Sequence, residues 1–150
     1  MKHKAIQEAL FEGVKLRSFR SGAGLRVVRL EKEDKVVGYG EHPYMADALT
    51  HANQDYLDGH LTYEQQYSGE NAKHTHYLTG ATPTGQDELD MWIGGRGNKC
   101  HLYVEENVIV CKLQGYTDDY EHGEKIGKGN TLQEAIDQAF AAKMQEIENV

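Results

Sequence analysis

The chain says nearly the same thing twice. Residues 36–57 read Val-Val-Gly-Tyr-Gly and then, from Met45 to Leu57, a stretch with apolar residues at helical spacing. Residues 125–144 read Lys-Ile-Gly-Lys-Gly and then a second such stretch from Leu132 to Met144. Gly38 and Gly40 match Gly127 and Gly129 at an offset of 89, whereas Ala48, Leu49, Ala52 and Leu57 match Ala135, Ile136, Ala139 and Met144 at an offset of 87. The two-residue difference is expected in the turn between strand and helix, where insertions are tolerated. A strand–glycine–helix pattern that recurs predicts two related α+β units.

The first unit, 1–57, opens with Ile6, Ala9 and Leu10 at helical spacing, and Gly13 can stop that helix. Val14–Phe19, Leu25–Leu30 and Val36–Gly40 follow as strands, separated by the turn residues Ser21–Gly24 and the charged loop Glu31–Lys35. Pro43 stands where a first helical turn tolerates it. The second unit, 99–150, has strands at Lys99–Val104, Val108–Leu113 and Lys125–Gly129, with a tight turn at Glu105–Asn107 and a polar loop at Gln114–Glu124. Thr131 and Glu134 form a capping-box pattern ahead of an apolar stripe of Leu132, Ile136, Ala139, Phe140, Met144 and Ile147. The expected fold is therefore α+β: two β-β-β-α units, the first preceded by an N-terminal helix, in antiparallel sheets with helices packed on one face. Residues 58–98 have no counterpart in the repeat, and His74–Leu78 and Leu89–Ile93 are expected to pair as a hairpin.

The α-β-β-β-α order of 3–57 resembles the double-stranded RNA-binding domain in topology. That family grips phosphates with lysines at the start of its last helix. The matching positions here are Pro43, Tyr44, Met45 and Ala46, and in the second unit Thr131, Leu132, Gln133 and Glu134. The grounds for RNA binding by that route are missing.

A chain of 150 residues suits one domain or two small units sharing a core. No run approaches the ~20 apolar residues of a membrane helix. The amphipathic N-terminal stretch does not read as a signal peptide. With two cysteines, this points to a reducing cytoplasm and no membrane partner. The net charge of -8 is uneven: residues 1–57 carry nine Lys+Arg against eight Asp+Glu, and residues 58–150 carry seven against sixteen. Such a chain repels nucleic acid unless its cations gather on one face.

His74 and His76 would point to one side of a strand. Cys100 and Cys111 would share an apolar sheet face, with His101 on the other, so the thiols read as small buried hydrophobes. No zinc-finger spacing is present, and neither a metal nor a cofactor is expected. Gly94–Lys99 is glycine-rich but lacks the phosphate-loop pattern, leaving Arg96 and Lys99 as anion-binding candidates. The glycine pairs lack the third glycine of a dinucleotide fingerprint. Arg17, Phe19 and Arg29 cluster cations and an aromatic in the first sheet, a pattern able to contact nucleic acid or an acidic surface. Tyr116, Asp118, Asp119 and Tyr120 form a tyrosine-rich acidic stretch suited to a basic protein surface. No catalytic signature is found.

The leading expectation is a non-enzymatic, macromolecule-binding protein. A small acidic inhibitor or accessory factor of phage or mobile-element type fits it, with a protein as partner at Tyr116–Tyr120, Arg17 and Arg29. The alternative is a small-ligand or nucleotide-binding protein, with or without catalysis, whose site lies between the units near Arg96, Lys99, His74 and His76. Nucleic-acid binding through the first sheet ranks third, and homodimerisation stays open.

Overall fold

A computed structural model of the chain describes residues 3–60, 88–95, 97–116 and 122–146. The element order is α1 (Lys4–Phe11), β1 (Lys15–Arg20), β2 (Arg26–Lys32), β3 (Lys35–His42) and α2 (Met45–Leu57). It continues with α3 (Glu88–Gly94), β4 (Lys99–Glu105), β5 (Val108–Tyr116), β6 (His122–Gly129), α4 (Leu132–Ala141) and β7 (Gln145–Glu146). The protein is α+β, with all described strands in one antiparallel sheet of order β3-β2-β1-β4-β5-β6-β7. The two halves of the chain meet where β1 pairs with β4, and the sheet runs through that seam without a break.

Register explains which side of the sheet is buried. One continuous row across six strands reads Gly38–Leu30–Leu16–Leu102–Cys111–Gly127, and the next reads Gly40–Val28–Ser18–Cys100–Leu113–Lys125. These rows form the floor of the core, closed from above by Ile6, Leu10, Met45, Ala48, Ala52, Leu89, Ile93, Ala135 and Ala139. Burying about twenty apolar side chains in one cluster is the main favourable term for a chain of this size.

The helices approach through glycine. A Cβ on Gly40 would run into the Ala48 carbonyl oxygen, and one on Gly127 into the Ala139 amide nitrogen and, at 2.6 Å, the Ala135 carbonyl. Each glycine thus lets a helix backbone rest directly on the sheet. This corrects the expected matching. Gly40, not Gly38, does in the first half what Gly127 does in the second. The connections His42–Met45 and Gly129–Leu132 are each two residues long, so the expected two-residue insertion in the turn is not there.

Two further expectations fail. Leu89–Ile93 lies in helix α3 rather than in a strand, with Leu89, Asp90 and Ile93 buried on one side, so it cannot form a hairpin with 74–78, which lie outside the described residues. The last helix ends at Ala141, where the backbone becomes extended at Ala142, φ -77° and ψ 156°. Met144 then lies over Gly123, and Gln145–Glu146 pair with β6 as a short strand covering that edge.

The two short helices tie the halves together reciprocally. Gln7 of α1 accepts a hydrogen bond from the Leu132 N–H at the start of α4 (2.9 Å), and α1 packs against β4. Asp90 of α3 accepts one from the Met45 N–H at the start of α2 (2.6 Å), and α3 packs against β1. Each helix therefore satisfies an otherwise orphaned N-terminal donor in the opposite half. Thr131 also caps α4, accepting from the Glu134 N–H at 3.1 Å as its sequence pattern predicts.

Candidate functional site

The face of the sheet opposite the helices carries a second set of rows. The central one reads Tyr39–Arg29–Arg17–His101–Lys112–Ile126, and its neighbour reads Glu41–Val27–Phe19–Lys99–Gln114–Glu124. Three basic side chains and an imidazole thus stand side by side on β2, β1, β4 and β5. Like charges directly opposed across strands are unfavourable, so this row lowers stability unless something compensates it. Part of the compensation is internal. Glu31 reaches Arg17 with one carboxylate oxygen (3.4 Å) and Arg29 with the other (3.3 Å).

On this face Lys15, Arg17, Arg29, Lys99, Lys112 and Lys128 stand against Glu31, Glu41, Glu105 and Glu124. Among the described residues the face has a cation surplus of two, on a chain of net charge -8. The surplus is concentrated at the seam, where a depression of about 380 Å³ is lined by Arg17, Phe19, Arg29, Asn98, Lys99 and His101. The Arg17 and Arg29 side chains remain 54% and 41% exposed, so both can be reached from solvent.

The local field is visible in the titration of its neighbours. His101 is held below its ordinary pKa by burial and then by the positive charges of Arg17, Lys99 and Lys112, with Glu31 opposing. The imidazole is thereby kept neutral beside the cations. Lys112 is shifted upward, chiefly by its hydrogen bond to Tyr103, over whose ring its ammonium sits at 5.6 Å. Tyr39, at the end of the row, is pushed up to about 12 by burial and by donating to Glu41 (2.8 Å).

The candidate residues fall into three groups. Arg17 and Arg29, expected to meet a partner, and Lys99, expected to hold an anion, come together at one site although they belong to different halves. Tyr116 ends strand β5. Arg96, His74, His76, Asp118, Asp119 and Tyr120 lie outside the described residues. Phe19 was legible beside Arg17 from strand alternation alone. Glu31, Lys112 and the role of His101 were not, because no local pattern announces that β1 lies against β4.

Asn98 donates to the Trp92 carbonyl (3.0 Å), and the Trp92 indole donates to the Lys99 carbonyl (3.1 Å), which together fix how Lys99 enters the sheet. The thiols of Cys100 and Cys111 lie 3.8 Å apart, fully buried on the core face. Their mutual hydrogen bond and burial push Cys100 well above its usual pKa, which disfavours the nucleophilic thiolate. Among the described residues no three His, Cys, Asp or Glu side chains gather as a metal-ligating group. No helix among them is long and apolar enough to cross a membrane.

No family model, no curated protein and no solved structure matches the chain.

Proposed function

We propose that this is a non-enzymatic binding protein built from two copies of one α-β-β-β-α unit. The sheet face that no described helix covers is its recognition surface, and the cation row at the seam is the centre of that surface. The copies would be 4–57 and 88–141, longer than the repeat first read in the sequence because α3 stands where α1 does. Adding 84 to the numbers of α1 and β1, 83 to those of β2, and 87 to those of β3 and α2 lands on α3, β4, β5, β6 and α4. The reciprocal capping by Gln7 and Asp90 supports the same reading.

The observation that carries the functional reading is the row Arg29–Arg17–His101–Lys112. Solvent-facing positions of a sheet tolerate neutral polar residues, so opposed cations kept there favour an anionic occupant over a merely soluble surface. The occupant would be a macromolecule, and the protein would act as an inhibitor or accessory factor. Phe19, Tyr39 and Tyr103 supply aromatic contact area around the charges. The immobilised 150-residue chain should retain a stoichiometric partner that an R17E/K99E variant, folded to the same melting temperature, releases. Equal retention by both, or no partner and no self-association, overturns the reading.

A second reading has one observation in its favour. The depression is of a size that holds a small molecule, within the ~300–1,000 Å³ usual for ligand pockets. A small anion seated between the units would raise the melting temperature on its own.

A further inference from the structure

We infer that the seam is a phosphoryl-group site, in which Arg17, Arg29 and Lys99 hold the oxygens of a phosphate monoester or pyrophosphate and Glu31 is the internal counter-ion that the ligand displaces. The inference rests on the open face being the recognition surface and names the chemistry recognised there.

Both guanidinium groups are already turned toward one oxyanion. Glu31 faces Arg17 with Oε2 and Arg29 with Oε1, which engages both oxygens of the carboxylate and a single nitrogen of each guanidinium. The arginine side chains are about half exposed while Glu31 is 20% exposed, and ion pairs open to water on the arginine side hold weakly, so the carboxylate can be displaced. A tetrahedral phosphoryl group brings a third terminal oxygen and up to a second negative charge. It can satisfy both guanidinium forks and the Lys99 ammonium, which lies on the next row beside Phe19.

The surroundings select a compact anion over an extended one. The row that carries Phe19 and Lys99 ends in Glu41 on one side and Glu124 on the other, and Glu105 sits further along β4. A polyanion lying across the sheet would meet these carboxylates, whereas a single phosphoryl group at the seam would not. Asn98 and Phe19, also in the lining, offer an amide and a ring to whatever bears the phosphate.

The test is calorimetric titration of the full chain at constant ionic strength, with chloride as control. The probes are inorganic phosphate, pyrophosphate, AMP, and a phosphoserine peptide with its unphosphorylated twin. At least one phosphorylated probe should bind with a Kd of about 1 mM or tighter. E31Q, an isostere at a partly buried site, should tighten that binding severalfold, and R17Q or K99Q should weaken it on the order of tenfold. Tighter binding of the peptide than of AMP assigns the group to a modified side chain on a protein partner. The reverse order assigns it to a free nucleotide. No binding by either wild type or E31Q overturns the inference. So does unchanged affinity in E31Q, or binding of a single-stranded oligonucleotide that pyrophosphate fails to displace. If the probes fail while R17E/K99E still releases a captured partner, the recognition surface stands and only its phosphoryl chemistry falls.

Discussion

Gly40 and Gly127 show how much a single residue decides here. Each sits under a helix backbone, with no room for a methyl group. G40A and G127A should each lower stability by about 1–3 kcal/mol in urea melts, the range for overpacking. G22A, with nothing within 4 Å of its Cβ, should stay within ~0.5 kcal/mol of wild type. A G40A variant as stable as G22A would show that the helix is not seated on the glycine. The glycines were legible in the sequence as a repeated pair, but which member bore the helix was not, because both pairs alternate onto the same face.

His101 makes a pH-dependent prediction at the same scale. Burial, Arg17, Lys99 and Lys112 depress its folded pKa against the weaker pull of Glu31. The unfolded chain therefore takes up the proton first, near pH ~6.5. Stability contributed by the neutral ring is complete above that value. It is lost as pH falls from ~6.5 to the depressed folded pKa, and below that the loss is constant. H101Q should remove this part of the acid-side slope in paired thermal melts, and a saturating phosphoryl ligand should shrink it in wild type. Identical slopes in wild type and H101Q would contradict the placement of the imidazole among the cations.

Among the elements, α3 was the least legible. Leu89-Asp90-Met91-Trp92-Ile93 is too short for a helical period to separate from a strand run. Its identity is set by tertiary contacts: Asp90 receives the Met45 N–H and pairs with Arg26 at 3.3 Å, both in the first half. D90A should cost about 2–4 kcal/mol, since it strands a helix N–H and removes the carboxylate partner of the part-buried Arg26, whose guanidinium keeps, among the described residues, only the carbonyls of Gly24 and residue 90. Q7A, which frees only the Leu132 N–H, should cost nearer ~1 kcal/mol by the same denaturation measurement. An equal, negligible effect of both would mean that the short helices do not bind the halves together. The expected stripe runs past the end of the last helix at Ala141 because Met144 continues the apolar spacing although the chain has already turned out to cover β6; Ile147, its last member, lies outside the described residues.

At the scale of the whole molecule, the strands of each half and the turns between them were legible from alternation and turn residues, while the seam was not. Arg17 and Lys99 are 82 residues apart, and pairing at that distance is fixed by register and shared burial, which leave no local trace. Neither half completes its own structure: β1 and β4 are each other's neighbours, and each half supplies the other's helix cap. Residues 1–60 and 85–150 produced separately should therefore lack cooperative melts as monomers and regain one on mixing. A sharp, concentration-independent melt in either fragment alone would contradict the shared core. The most direct measurement of the functional claim compares two variants of equal net charge, R17E/K99E at the seam and K4E/K143E elsewhere, for affinity toward the partner or phosphoryl probe that wild type binds. The seam variant should bind at least about tenfold more weakly and the other within about twofold. Equal losses in both, or the greater loss in K4E/K143E, would place recognition somewhere other than the open sheet face.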